Sequence, residues 1–157
     1  MEPQTADTVL MVRPAAFGAN PETASSNAFQ AQRAALDGDA SNALAEAQFD
    51  GVVTALSAAG VTVIVVDDTR VPVTPDAVFP NNWITTHADG RVILYPMEAR
   101  NRRTERRSDV VDALQSVHGF TVSAVVDFSA PELEGRFLEG TGSLVLDRVH
   151  RRAYACY

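Results

Sequence analysis

The chain has 157 residues, 46% apolar and 21% charged, with 13 basic and 20 acidic residues and a net charge of −7. Its length is one domain's worth, enough to bury a core, and its proportions are those of a folded globular protein. Every basic residue is Arg, and the acidic balance argues against a general nucleic-acid or anionic-membrane surface, which leaves a small molecule as the expected partner.

Val9-Leu10-Met11-Val12 is an apolar run stopped by Arg13-Pro14, and it predicts a buried strand leading into a loop of Gly18, Asn20 and Pro21 suited to be a lid. From Ser41, a good N-cap, the apolar positions Ala45, Phe49, Val52, Val53, Leu56 and Ala59 recur at spacings of three and four. Gly60 follows as a C-cap, so a core-facing helix is expected. Residues 61–66 are β-branched and almost wholly apolar, which predicts a strand covered on both faces. A hairpin then pairs residues 83–87 with 91–95 through Ala88-Asp89-Gly90.

A second helix is predicted over about residues 104–118, burying Val110, Val111, Leu114 and Val117, and residues 120–126 form the matching covered strand. A last hairpin joins 142–146 to 151–156 through Arg148-Val149-His150. Strand, strand, helix, strand is therefore the repeating unit, present once whole and twice in part. The order predicts a further helix after the last hairpin, and the chain ends before it. The one cysteine, Cys156, excludes an internal disulfide and a Cys-based zinc site, and no stretch reads as a signal peptide or a membrane span. A cytoplasmic location is the default expectation.

Four motifs occur together: Met11-Val12-Arg13-Pro14 through Asn27-Ala28-Phe29-Gln30; Phe79-Pro80-Asn81-Asn82-Trp83-Ile84-Thr85-Thr86-His87; Tyr95-Pro96-Met97 with Asn101-Arg102-Arg103-Thr104-Glu105-Arg106; and Leu138-Glu139-Gly140-Thr141-Gly142-Ser143. In this order the chain resembles the amidinotransferase and arginine-deiminase superfamily, closest to its citrulline-utilising hydrolase branch, over essentially its whole length. The resemblance implies an α/β, pentein-type fold, an α/β propeller of strand-strand-helix-strand units. This chain would be a single domain, residues 1–157, forming the N-terminal half of the ring. It further implies Cys-dependent hydrolysis of a C–N bond in the ureido or guanidino group of citrulline or an arginine derivative, with no cofactor and no metal. The family's nucleophile and catalytic His belong to a second half. The chain alone is then either part of such a hydrolase or an inert remnant or binding module without the nucleophile. Self-association, or pairing with a missing C-terminal half, is expected at its unclosed apolar edges.

Glu139 matches the family's catalytic carboxylate, and a carboxylate between small residues accepts two parallel N–H bonds from a planar group. By composition alone it reads as a loop acid or a helix-free turn. Gly142 departs from the Asp that ends the family's segment. Asn82 falls where deiminase relatives carry Asp. An amide offers both donor and acceptor to a neutral ureido group, whereas a guanidinium has donors only, so Asn82 points to citrulline, although some guanidino-binding relatives also use Asn. Its other reading is a turn residue before a strand.

Arg102, Arg103, Arg106 and Arg107 crowd the start of the second helix, against its dipole. By resemblance Arg103, with Arg102 as neighbour, would hold the substrate carboxylate; otherwise they form a solvated face offset by Glu105 and Asp109. Cys156 is expected to be a small buried strand residue rather than the nucleophile. His87, His118 and His150 are expected to be non-catalytic and lack metal-ligand spacing.

Overall fold

Parallel pairing of β1, Thr8–Arg13, with β2, Thr62–Asp67, begins the fold, and the crossover between them is the helix α1, Gly38–Ala58. The computed structural model describes residues 4–25, 27, 30, 38–116 and 119–156. Two compact units result: one holds Asp7–Phe79 and Ala99–Thr104, the other Met1–Ala6, Pro80–Glu98 and Glu105–Tyr157.

In the first of these units, α1 starts three residues before the expected cap at Ser41 and buries Asn42 and Phe49. Val53 and Leu56 continue the half-buried stripe, whereas Val52 and Ala59 are exposed. Its end follows the sequence: Gly60 has φ +84°, and Val61 N–H returns to Leu56 O at 3.0 Å, the left-handed closure that glycine allows without strain. Strand β2 is buried at Ile64 but exposed at Val65, so the strand expected to be covered on both faces is not. Among the described residues only β1 pairs with it, and a two-stranded sheet leaves much of its surface open.

The second unit contains the complete repeat. Strands β3, Ile84–Thr86, and β4, Arg91–Leu94, pair antiparallel. After the helix α2, Ser108–Ser116, strand β5, Ala124–Asp127, joins β4 in parallel, giving the order β3-β4-β5. Gly90 turns the hairpin at φ +82°, and a Cβ there would lie 2.3 Å from Thr121 O, so both its conformation and its surroundings require glycine. Trp83, Ile84, Val92, Tyr95, Met97, Val110 and Leu114 form the buried core of this unit.

Here, too, apolar sequence overstated cover. Strand β5 is shorter than predicted and exposed at Val125, because it is the sheet's edge. The second helix starts at Ser108 rather than near Thr104, after a 3-10 turn over Asn101–Glu105. Val117 and His118 lie outside the described residues.

The last repeat begins with a single helical turn, α3, Gly140–Ser143, followed by the antiparallel pair β6, Leu144–Asp147, and β7, Arg152–Ala155. Strand β7 is exposed throughout, and Cys156 just beyond it is exposed rather than buried, since among the described residues β6 is the one strand paired with β7. Among the described residues no helix is long and apolar enough to cross a membrane.

Candidate active site

Two predicted site residues, 57 positions apart, meet in the second unit. Asn82 ends the 3-10 turn Pro80–Asn82 that leads into β3, and Glu139 precedes α3. The Asn82 amide donates from Nδ2 to Glu139 Oε2 at 3.2 Å, and the backbone N–H of Glu98 donates to Oε1 at 3.0 Å. Both carboxylate oxygens are thus engaged by donors that fix the plane of the group. A carboxylate oriented in this way is suited to a flat, N–H-bearing partner.

Local backbone geometry brings the two residues together. Gly140 has φ +31°, and a Cβ on it would lie 2.3 Å from Asn81 O and 3.0 Å from Asn82 O, so the two segments can approach only with glycine there. Gly142 meets the Asn82 side chain itself: its Cβ would fall 2.9 Å from Nδ2 and 3.0 Å from Cγ and Oδ1. The departure at Gly142 from the family's Asp therefore has a physical counterpart, because the Asn82 amide occupies the space a side chain at 142 would need. Thr141 Oγ1 adds a bond to Asn81 O, and Leu138 N–H one to Pro96 O at 3.2 Å.

The Glu98 amide is held in turn by residues that sequence reasoning did not assign to the site. Glu132, in the 3-10 turn Ala130–Glu134, accepts from Met97 N–H at 3.1 Å. Its carboxylate forms a bidentate pair with Arg106, at 2.9 and 2.7 Å, with both side chains largely buried. Arg106 also donates to Tyr95 O at 3.2 Å. The segment Tyr95-Pro96-Met97-Glu98 is clamped on both sides, and its last N–H is presented to Glu139. Arg106 was visible in the sequence only as one of four crowded arginines, and a backbone donor carries no side-chain signature.

Arg102 and Arg103 belong to the other unit. Arg102 is 4% exposed, and its guanidinium lies against Asp76, 3.9 Å from Nε to Oδ2, and reaches the carbonyls of Asp76 and Phe79 at 3.4 Å. The same Asp76 accepts from Asn20 Nδ2 at 2.6 Å, and Asn101 Nδ2 donates to Asn20 Oδ1 at 2.8 Å. Asn20 is wholly buried, so the loop expected to be a lid is anchored at its middle. Arg103 is half-buried, with its N–H on Arg100 O at 3.2 Å. Arg107 pairs with Asp109 at 2.6 Å, the acid expected to offset it.

His87 Nε2 lies 3.1 Å from Thr85 Oγ1, which is 2.9 Å from the Tyr95 hydroxyl, a polar contact within the hairpin. His150 is paired with Asp147 in the turn before β7. Among the described residues no group of three or more His, Cys, Asp or Glu is placed to hold a metal ion.

Solved structures share the fold of this chain. One is the apo form of ArgZ, an arginine dihydrolase from the ornithine-ammonia cycle in cyanobacteria, at 19% identity and a TM-score of 0.58, covering 96% of this chain and 18% of that one. A dimethylarginine dimethylaminohydrolase variant in adduct with S-methyl-L-thiocitrulline matches at 18% identity and 0.59, over 92% and 48% of the two chains. AgrE, as a variant bound to L-arginine, matches at 19% and 0.61, over 96% and 19%. The chain thus spans less than half the length of each of these proteins, and identities this low speak to the fold alone: part of a pentein, built from its strand-helix repeats. The sequence finds no match among curated proteins. Residues 13–157 match the family described as N,N dimethylarginine dimethylhydrolase, eukaryotic, and the chain belongs to that family.

Proposed function

We propose that this chain supplies the planar-group-binding part of a hydrolase that cleaves a C–N bond in the guanidino or ureido group of an arginine derivative, with N,N-dimethylarginine and citrulline as the two substrates to compare. The supporting observation is the contact between Asn82 and Glu139, reinforced by the Glu98 N–H. Glu139 would accept N–H bonds from the planar group and stabilise positive charge on it, and Asn82 would hold Glu139 in plane and offer the group a donor or an acceptor. For the substrate carboxylate the proposal keeps Arg103, with Arg102 as neighbour, as the resemblance implies.

The chemistry proposed for the intact enzyme is covalent. A cysteine thiolate contributed by the family's other half attacks the planar carbon, dimethylamine or ammonia leaves, and a water activated by histidine releases the thiol. Cys156 is not given that role, and the chain alone is predicted to bind without turning over. A binding module without the nucleophile remains the second reading.

Calorimetric titration of the 157-residue chain with both compounds tests the binding role. Saturable binding that falls at least about tenfold on Glu139→Gln, a loss on the scale of one charge-assisted hydrogen bond, is the expected result. Equal affinity in wild type and variant would remove Glu139 from the site. Ammonia or dimethylamine release by the purified chain would refute the assignment of the nucleophile to another half.

A further inference from the structure

The tips of the two hairpins in the second unit enclose a cavity of about 680 Å³, lined on one side by His87, Asp89 and Arg91 and on the other by Asp147, Arg148, Arg151 and Arg152. Its size falls within the range of small-molecule sites. Four of the chain's 13 arginines line it, in a protein whose net charge is −7.

Both acids that line the cavity are taken up by their own turns. Asp89 accepts from Arg91 at the backbone N–H, 3.1 Å, and at Nε, 2.8 Å. Asp147 accepts from the backbone N–H of His150 at 2.9 Å and lies 2.7 Å from His150 Nδ1. Register places Asp147 opposite Arg152, where a cross-strand ion pair would be available, yet the carboxylate turns to His150 instead. Arg151 and Arg152 consequently have no ion-pair partner among the described residues.

We propose that this cavity binds a small, multiply charged oxyanion, a phosphate ester or a polycarboxylate, through Arg151 and Arg152 with Arg148 beside them. The planar forks of arginine match two oxygens of either group. The assignment is independent of the Glu139 site.

Titration of the full chain with pyrophosphate and, separately, with citrate, at low and at physiological ionic strength, tests it. One saturable site is expected for at least one probe, weakened by salt but persisting. Combined Arg151→Asn and Arg152→Gln substitution should weaken binding at least about tenfold, Asn being tolerated at the φ of +55° that Arg151 adopts. Arg136→Gln, which removes an exposed arginine paired with Glu134, should leave binding unchanged. Preference for pyrophosphate would assign a phosphate ligand, and preference for citrate a polycarboxylate. The proposal is overturned by absence of saturable binding, by equal weakening in Arg136→Gln, or by unchanged binding in a double variant whose melting curve matches wild type.

Discussion

Asn82 donates to Glu139 across a gap of 3.2 Å while its amide stands against the bare α-carbon of Gly142. The hydrogen bond and the missing side chain are one arrangement, since an atom added at 142 would push on the amide that orients the carboxylate. Glu139 is therefore set by a neighbour in space that is itself set by a glycine three residues along the chain.

Gly142→Ala should uncouple stability from binding. The new Cβ would meet the end of a side chain that can swing aside, so unfolding free energy should change by less than about 1 kcal/mol, below the usual cost of overpacking a core. Asn82 would move off Glu139, and the Asn82 side-chain amide resonance and ligand affinity should both change. Gly140→Ala meets backbone at 2.3 Å in a left-handed conformation and should destabilise by at least about 1–3 kcal/mol. Similar denaturation midpoints for the two variants would contradict this contrast.

Removing one side of the buried pair between Arg106 and Glu132 should be costly, about 3–5 kcal/mol, because the remaining charge is left in a largely buried position. Glu132→Gln keeps an acceptor for Met97 N–H and should lose less than Arg106→Ala. Hydrogen exchange at the Glu98 amide gives the local readout: faster exchange in Glu132→Gln than global unfolding explains would show that the pair holds the segment facing Glu139. Unchanged protection would separate the brace from the site.

Sequence was most informative where a local rule had one solution. Gly60 and Gly90 marked a helix end and a hairpin turn because each needs positive φ, and both turns formed where the chain indicated. The meeting of Asn82 with Glu139 followed from motif resemblance and from no local pattern, since the residues are far apart in sequence. Cover was the main misreading: residues 61–66 and 120–126 look like central strands, but apolarity does not say which element supplies the cover, and Val65 and Val125 face solvent. The start of α2 was misplaced because Thr104-Glu105-Arg106-Arg107 has good helix propensity. A tertiary partner competes there instead, with Arg106 turned to Glu132. A brace whose partners lie 26 and 35 positions apart leaves no periodic trace.

Asn82→Asp should reverse the preference for ligand charge. Two carboxylates about 3 Å apart do not both ionise readily, and the pair would favour a cationic guanidinium over a neutral ureido group. Citrulline affinity should fall at least about tenfold, with dimethylarginine affected less, an energetic difference on the order of 1.4 kcal/mol. Parallel losses for both ligands in calorimetry would mean that Asn82 does not discriminate between them.

Acid should unfold the protein partly through carboxylates that the native state holds ionised. Asp127 is kept below the usual carboxylate range chiefly by a hydrogen bond from the Ser129 hydroxyl, with its backbone N–H and Arg106 assisting against desolvation. Arg107 does the same for Asp109, and Arg13 for Asp50, each mainly through a side-chain hydrogen bond. For a depressed carboxyl the unfolded chain binds more protons in the acid range, so the contribution is fully present above the ordinary value near 3.9 and is lost as pH falls through the native one. Melting temperature should thus drop as pH is lowered below about 4, and Asp127→Asn, already without the charge, should drop less steeply. The more exposed pairs of Asp109 and Asp50 should contribute weakly, and less still in high salt. Superimposable acid limbs for wild type and Asp127→Asn would show that the Ser129 and Arg106 contacts do not stabilise the fold through this carboxylate.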